Sequence, residues 1–192
     1  FDAADFAITS LEIAHRADAG VIDGLAAAYQ HRGWRPILFP VLAVPFFMLA
    51  AGHLRAGIAL TQYAALLLVG LYTAALARRF TPRGRALVAT SFVVSLPWLV
   101  RYSQIFYSEL AWLAFTAAWL YHAVASEGFG RRGHASLSGV ALGLMVCVRP
   151  VESLLVGGPA IVVLAFWARQ QRPSPARGLA RAARSGAGRG AD

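Results

Sequence analysis

The chain has 192 residues, of which 58% are hydrophobic and only 14% charged, and its mean hydropathy is +0.55. Soluble domains carry about 45–50% apolar and about 25% charged residues, so this composition points to a membrane protein. All 18 basic residues are arginines, which give a net charge of +9 but stand in short groups between apolar runs, and this argues against nucleic acid as a partner.

The first 36 residues mix acidic and apolar side chains, which predicts two amphipathic helices. One lies at the start, and the second runs from about Val21 to His31, where Gly33 and Pro36 end it. Neither is apolar enough to span a bilayer. We therefore expect residues 1–36 to form an amphipathic loop at the membrane surface.

Six apolar runs follow the amphipathic loop. They cover 37–52, 57–77, 86–100, 106–125, 135–148 and 151–168. A spanning helix needs roughly 20 apolar residues, and in lipid the backbone must satisfy its own hydrogen bonds, so these runs are predicted to be helices. The expected fold is all-α: a polytopic transmembrane helix bundle over 37–168 with an amphipathic outer loop, followed by a basic, disordered tail over 169–192.

The arginine groups predict the orientation of the bundle in the cell membrane. The loops "ARRFTPRGR" and "EGFGRRG" and the tail are rich in arginine and are expected on the cytoplasmic side, whereas "RYSQIFYSE" and "VRPVES" face outward. The run 37–52 leaves two alternatives, because it is short and contains Pro40 and Pro45. If it crosses fully, residues 1–36 are cytoplasmic. If it is re-entrant or broken, they share the outer face with Glu109.

Charged residues at the predicted outer boundary are the candidates for chemistry, because lipid makes such residues costly. Glu109 has two readings. It is either a carboxylate at a helix N-terminus beside a solvated loop, or a functional group at the membrane surface that acts as a general base or metal ligand. Arg101 is either an interfacial anchor or a phosphate clamp. Arg149 and Glu152 form either an ion pair in a hairpin or part of a site.

The amphipathic loop supplies four more candidates. Arg32 and Arg35 lie three apart in "HRGWRP" and could hold one anionic headgroup, although arginine and tryptophan are also ordinary interfacial anchors. Asp2 and Asp5 are three apart and would share one helical face. We find no phosphate-binding loop, zinc-binding helix or serine nucleophile motif, and the five histidines are scattered without metal-ligand spacing.

The order of these features resembles polytopic glycosyltransferases of the GT-C superfamily, such as protein O-mannosyltransferases and the aminoarabinose transferase of lipid A. The segments that carry the resemblance are "DAADF", "RGWRPILFP", "SLPWLVRYSQIFYSE" and "ALGLMVCVRP". Asp2 matches the first acid of the family's early motif, although Ala3 stands where the family has Glu and Phe6 where it has Tyr. Arg35 with Pro36 matches the entry to the next helix, Glu109 the second acid, and Arg149 the late basic residue. We expect the chain to be a piece of a longer protein.

The resemblance implies a hexosyltransferase that moves a sugar, with inversion, from a polyprenyl-phosphate donor to a glycan, lipid or protein acceptor on the outer face. Asp2 would be the general base, and Glu109 would orient the acceptor or, with Asp2, bind a divalent metal ion. Arg35, Arg101 or Arg149 would neutralise the departing lipid phosphate. Asp2 and Glu109 would then share the outer face, so the run 37–52 should not cross.

Two rival functions remain open from the sequence. One is a transporter or permease, in which intramembrane polar groups and broken helices line a path. The other is a membrane scaffold that packs through Gly139 and Gly143, whose spacing lets helices approach closely.

Overall fold

The computed structural model describes residues 2–16, 20, 23, 26 and 38–171. Every regular element in these ranges is a helix, which confirms the all-α fold class. The helices are α1 (Asp2–Arg16), α2 (Leu38–Leu49), α3 (Leu54–Ala77), α4 (Arg83–Val94), α5 (Pro97–Ser103), α6 (Glu109–Ala125), α7 (Arg132–Val148) and α8 (Pro150–Gln171). The predicted helix from Val21 to His31, apart from residues 23 and 26, and the part of the tail after 171 lie outside the described residues.

Helix α2 is too short to cross a bilayer by itself. Its 12 residues span about 18 Å, against about 30 Å for a hydrocarbon core. Its buried residues Phe39, Ala43 and Phe47 recur every four positions and so lie on one face. The rings of Phe39 and Phe47 both contact Phe106, with centroids 4.9 Å and 5.7 Å apart. The helix therefore packs against the loop that precedes α6, and whether the run 37–52 crosses a membrane stays a prediction.

Helix α3 is the one helix in the described part of the chain that is long and apolar enough to span a membrane unaided. Its 24 residues extend about 36 Å. Helices α4 and α5 pass the same test only as a pair, which is bent by 61°. The prediction that the run 86–100 forms one continuous helix is therefore wrong, and whether the bent pair spans a membrane stays a prediction. Pro97 lacks a backbone N–H and forces Leu96 into an extended conformation (φ −55°, ψ 130°), which ends α4.

Helix α6 lies at the centre of the helix assembly, between α3 and α7. Small residues on its buried face, such as Ala114 and Ala118, allow this close approach. Helix α7 meets it through its buried residues Ala141, Met145 and Val148. Gly139 and Gly143 instead face open space, since a Cβ added at either one would meet nothing within 4 Å among the described atoms. Within the described residues, packing through these two glycines is therefore not observed.

Large apolar side chains cover the outer surface of the assembly. On α4, Val88 and Phe92 are 71% and 70% exposed, and on α8, Leu154 and Leu155 are 75% and 73% exposed. Exposed apolar surface of this extent marks regions that lipid or another protein covers. Whether the helices form a polytopic bundle in a membrane stays a prediction.

The assembly has two ends that differ in chemistry. The Glu109 end holds the loops 50–53 and 104–108 and the α7–α8 junction at Arg149, and the arginine-rich end holds the loops 78–82 and 126–131. Helix α1 packs at the Glu109 end, where the ring of Phe6 lies 5.5 Å from that of Phe39. The apolar core at this end consists of Ala7, Phe39, Ala43, Phe47, Phe106, Ala111 and Val148. Thus α1, which carries Asp2 and Asp5, shares this end with Glu109.

Candidate functional site

Three predicted site residues meet at the Glu109 end. The Nη1 atom of Arg149 lies 2.9 Å from Oε1 of Glu109, and its Nη2 atom lies 2.7 Å from Oε1 of Glu152. We call Glu109, Arg149 and Glu152 the charge cluster. The ion pair predicted between Arg149 and Glu152 is thus confirmed, and Glu109 joins it from a different helix.

The helix termini explain why these charges stand where they do. Glu109 is the first residue of α6, and Glu152 lies in the first turn of α8. A carboxylate at a helix N-terminus is stabilised by about 0.3–1 kcal/mol, and a cation at a C-terminus gains similarly. Arg149 caps the C-terminus of α7 in an extended conformation (φ −148°) because Pro150 follows it. Each charge therefore stands at the helix end that favours its sign.

The charge cluster carries a net charge of −1 and retains an unused acceptor atom. Its side chains are 25–39% exposed, so water partly solvates them. The second carboxylate oxygen of Glu109, Oε2, is nonetheless buried and has no hydrogen-bond partner among the described residues. A buried acceptor without a donor costs about 1–3 kcal/mol. This oxygen therefore retains the capacity to accept a hydrogen bond from a hydroxyl group.

Residues one turn further into the assembly fix the helices that carry the charges. The Nε1–H of Trp112 on α6 donates to Oγ of Ser153 on α8, at 2.9 Å. The Ser153 hydroxyl in turn has two acceptors for its single hydrogen, the carbonyl of Met145 on α7 at 2.9 Å and that of Arg149 at 2.5 Å. These bonds tie together the three helices whose termini form the charge cluster.

Gln62 on α3 fixes the loop before Glu109, and the sequence reasoning missed it. Its Nε2 atom donates to the carbonyl oxygens of Ile105 (2.8 Å) and Tyr107 (3.0 Å), and the side chain is fully buried. Its Oε1 atom is buried without a partner among the described residues. The sequence does contain a signal, since a lone amide in the apolar run "LTQYAALLLVG" is costly unless its hydrogen bonds are made.

The remaining predicted site residues lie elsewhere. Arg101 is exposed, and its guanidinium lies 5.9 Å from the centroid of the Trp98 ring rather than in the charge cluster. Asp5 is exposed on α1, and Asp2 begins that helix, although its side chain is outside the description. Arg32 and Arg35 are not among the described residues. The structure therefore brings together Glu109, Arg149 and Glu152 and leaves Arg101 apart from them.

The charge cluster alone is not a metal site. Across residues 2–16, 20, 23, 26 and 38–171, no three His, Cys, Asp or Glu side chains converge as metal ligands. Arg149 holds one oxygen from each carboxylate of the cluster, and its positive charge opposes a cation there. A divalent ion shared by Asp2 and Glu109 stays a prediction.

Comparison with known proteins gives no relative: no protein-family model, no curated protein and no solved structure matches the chain. The function is therefore argued from the residues and their geometry.

Proposed function

We propose that the chain is part of a polytopic membrane glycosyltransferase that moves a sugar, with inversion, from a polyprenyl-phosphate donor to an acceptor hydroxyl on the outer face of the cell membrane. The observation that carries this proposal is the unpartnered Oε2 atom of Glu109, held in the charge cluster at the end where α1 packs. Asp2 is the first residue of α1, the helix that packs at the same end.

The proposed reaction assigns a separate task to each charged group. The acceptor oxygen attacks the anomeric carbon, and the bond from that carbon to the lipid phosphate breaks. Asp2 takes the acceptor proton, a step that contributes typically about 10²–10⁴-fold to the rate. Glu109 Oε2 accepts a hydrogen bond from the acceptor and orients it. Arg101 or Arg35 stabilises the charge on the departing phosphate.

Arg149 has a different part in this proposal from the phosphate clamp first considered. Both of its terminal nitrogens already bind carboxylates, and the cluster is negative, so it attracts a phosphate only weakly. We assign Arg149 the positioning of Glu109. A hexose acceptor presents hydroxyl hydrogens, which suit the free carboxylate oxygen better than a phosphate does.

Three observations support a membrane setting for this reaction. Helix α3 has the length and composition of a span, and the faces of α4 and α8 expose large apolar side chains. The end opposite the charge cluster carries a group of four arginines, Arg78, Arg79, Arg131 and Arg132. An arginine-rich end is typical of the cytoplasmic side, which leaves the Glu109 end outside.

A transporter is the second candidate, and the broken helix pair α4–α5 favours it. The two helices bend by 61° at the break before Pro97, and broken helices often line substrate paths in transporters. A transporter would move a solute across the membrane without cleaving a donor. A transferase would release polyprenyl phosphate and attach the sugar to an acceptor.

The test uses the full-length protein in membranes, supplied with a set of radiolabelled polyprenyl-phosphate sugars. We expect label to move to an acceptor, and Asp2→Asn to lower the rate by about 10²–10⁴-fold. The matched control is Glu12→Gln, an acid on the same helix that pairs with Arg16 at 2.7 Å. Glu12→Gln should transfer the sugar at a rate within about twofold of the wild type, because a surface ion pair contributes little. Solute uptake into vesicles without donor cleavage would favour the transporter.

A further inference from the structure

A pair of histidines joins two helices at the arginine-rich end. His122 lies in the last turn of α6 and His134 in the first turn of α7, and their Nδ1 atoms are 2.9 Å apart. The two positions are equally far from Gly128 in the connecting loop. This symmetry is the signal that sequence reasoning overlooked when it treated the histidines as scattered. In an antiparallel helix pair, such positions face each other.

Aromatic rings enclose the histidine pair and connect it to a third helix. The ring of Tyr121 contacts His122 at 5.0 Å and His134 at 6.0 Å between centroids. Tyr72 on α3 lies 5.6 Å from His122. The guanidinium of Arg79, just after α3, lies 5.5 Å from the centroid of Tyr121. The pair therefore forms part of the contact among α3, α6 and α7.

The charged groups around the pair are mostly positive. Arg79 approaches from the end of α3, and Arg131 and Arg132 precede His134 at the start of α7. Glu127 is the acid in the connecting loop, and it pairs with Arg131 at 2.7 Å. These neighbours make an added positive charge on the histidine pair unfavourable.

The distance between the Nδ1 atoms leaves room for one hydrogen only. One imidazole must donate its Nδ1–H, and the other must accept at an unprotonated Nδ1. If both rings carried two protons, two N–H groups would point at each other across 2.9 Å. The closed contact therefore binds at most one proton beyond the two neutral rings, whereas the separated rings can bind two.

We propose that the His122–His134 contact is a proton-sensitive lock that holds α7 against α6 when one ring is neutral and opens when both rings are protonated. The open form binds one more proton than the closed form, so opening is favoured as the pH falls. Once the separated rings bind both protons and the closed contact holds one, the opening equilibrium should rise by up to about tenfold for each unit that the pH falls. This lock does not depend on the proposed transferase activity.

The test measures the distance between α3 and α7 in the full chain, reconstituted in lipid nanodiscs. Spin labels are placed at the exposed positions Leu71 and Leu137, after the exposed Cys147 is replaced by alanine. At pH 8 we expect one distance. At pH 5.5 we expect a second, longer distance whose population grows on acidification.

Two variants separate the lock from general acid sensitivity. His134→Asn keeps a hydrogen-bonding group near the Nδ1 position but does not titrate, and it should show no second distance at pH 5.5. His53→Asn removes an exposed histidine at the opposite end and should behave as the wild type.

Three results would overturn the proposal. The first is a wild-type distance at pH 5.5 that is the same as at pH 8. The second is a longer distance in His134→Asn that is populated as strongly as in the wild type. The third is a change in distance that disappears with a metal chelator, which would mean that a metal ion joins the rings. If the variants do not fold, nitrogen-15 NMR of labelled histidine in the wild type decides. We expect one protonated and one unprotonated Nδ1 at pH 8, and two unprotonated Nδ1 atoms would contradict the lock.

Discussion

Arg149 and Glu109 stand 2.9 Å apart, and this ion pair joins the end of α7 to the start of α6. Arg101 is much nearer to Glu109 in the chain, yet its guanidinium lies over Trp98. The partner of Glu109 thus comes from the far end of the α6–α7 hairpin, which Glu109 itself begins. Because Arg149 also holds Glu152, one side chain ties three helix termini at the Glu109 end.

Replacing Arg149 by methionine should destabilise the protein. The change leaves two carboxylates without their cation, and hydrogen bonds to charged groups are worth about 1.5–3 kcal/mol. The cluster is partly exposed, so solvation offsets part of this loss and we expect about 1–2 kcal/mol. Thermal unfolding in detergent micelles measures the change.

Double-mutant cycles should show that the stabilisation by Arg149 is divided unequally between its pairs with Glu109 and Glu152. Glu109 is 25% exposed and Glu152 39%, so solvent screens the second pair more. We expect a coupling energy on the order of 1 kcal/mol between Arg149 and Glu109, and a smaller one between Arg149 and Glu152. Equal or reversed couplings would show that Glu152 is the main partner.

Gln62→Leu should loosen the loop that precedes Glu109. The carbonyl of Ile105 keeps the Tyr107 N–H as a donor, at 2.8 Å, but the carbonyl of Tyr107 loses the bond from Gln62. An unsatisfied buried acceptor costs about 1–3 kcal/mol. We expect a stability loss in this range and faster hydrogen exchange at residues 104–108.

The control for this prediction is Thr61→Ala, at the neighbouring buried position. The Thr61 hydroxyl donates to the carbonyl of Gly57 within its own helix, at 2.8 Å. Alanine is the better helix former, so the loss should be below about 0.5 kcal/mol. Equal exchange at 104–108 in both variants would mean that Gln62 does not hold the loop.

Gly57→Ala and Gly139→Ala should have opposite effects on stability. A Cβ at Gly57 would lie 2.8 Å from Cδ1 of Phe47, which is fully buried against Phe106 and cannot move freely. Overpacking costs about 1–3 kcal/mol, and alanine regains about 0.5–1 kcal/mol in a helix, so we expect a net loss of about 1–2 kcal/mol. At Gly139 the space is open, and alanine should stabilise by about 0.5–1 kcal/mol. Chemical denaturation measures the free energy of unfolding of both variants. A loss of stability in Gly139→Ala would indicate that a partner covers that face of α7.

Cysteine labelling tests the prediction that the run 37–52 does not cross the membrane. In a Cys147→Ala background, an impermeant maleimide should reach Asp23→Cys and Gln104→Cys in intact cells. It should reach Gly130→Cys only after permeabilisation, since that loop belongs to the arginine-rich end. If Asp23→Cys behaves like Gly130→Cys, the run crosses and α1 cannot share the outer face with Glu109.

The periodicity and charge of the sequence predicted where the helices lie more accurately than where a helix breaks or which helices pack together. The apolar runs gave helices close to the observed ones because length and composition determine whether a segment is helical in an apolar setting. The break at Leu96 was missed, although Pro97 marked it, since the apolar character continues through it. The sequence left open whether the run 37–52 crosses the membrane, and this stays a prediction, whereas the contacts of Phe39 and Phe47 with Phe106 depend on packing that the sequence does not show.

The sequence predicted the members of the charge cluster and offered the Arg149–Glu152 ion pair, but it did not predict the partner of Glu109. Glu109, Arg149 and Glu152 each stood out as ions at an apolar boundary, which is a local property of the sequence. Which cation meets Glu109 depends on how α6 and α7 pack against each other, and nothing local distinguishes Arg101 from Arg149. Gln62 and the His122–His134 contact were missed for the same reason, because their partners lie on other helices.

The most direct test of the proposed chemistry compares Glu109→Gln with Glu127→Gln in the transfer assay, at equal amounts of protein in the membrane. Both acids pair with an arginine, but Glu127 lies at the arginine-rich end, 2.7 Å from Arg131. We predict that Glu109→Gln lowers sugar transfer by about tenfold or more, because weakening one hydrogen bond to a charged acceptor costs about 1.5–3 kcal/mol. Glu127→Gln should transfer at the wild-type rate. Equal transfer by both variants, with donor cleavage intact, would contradict a role for the charge cluster in the reaction.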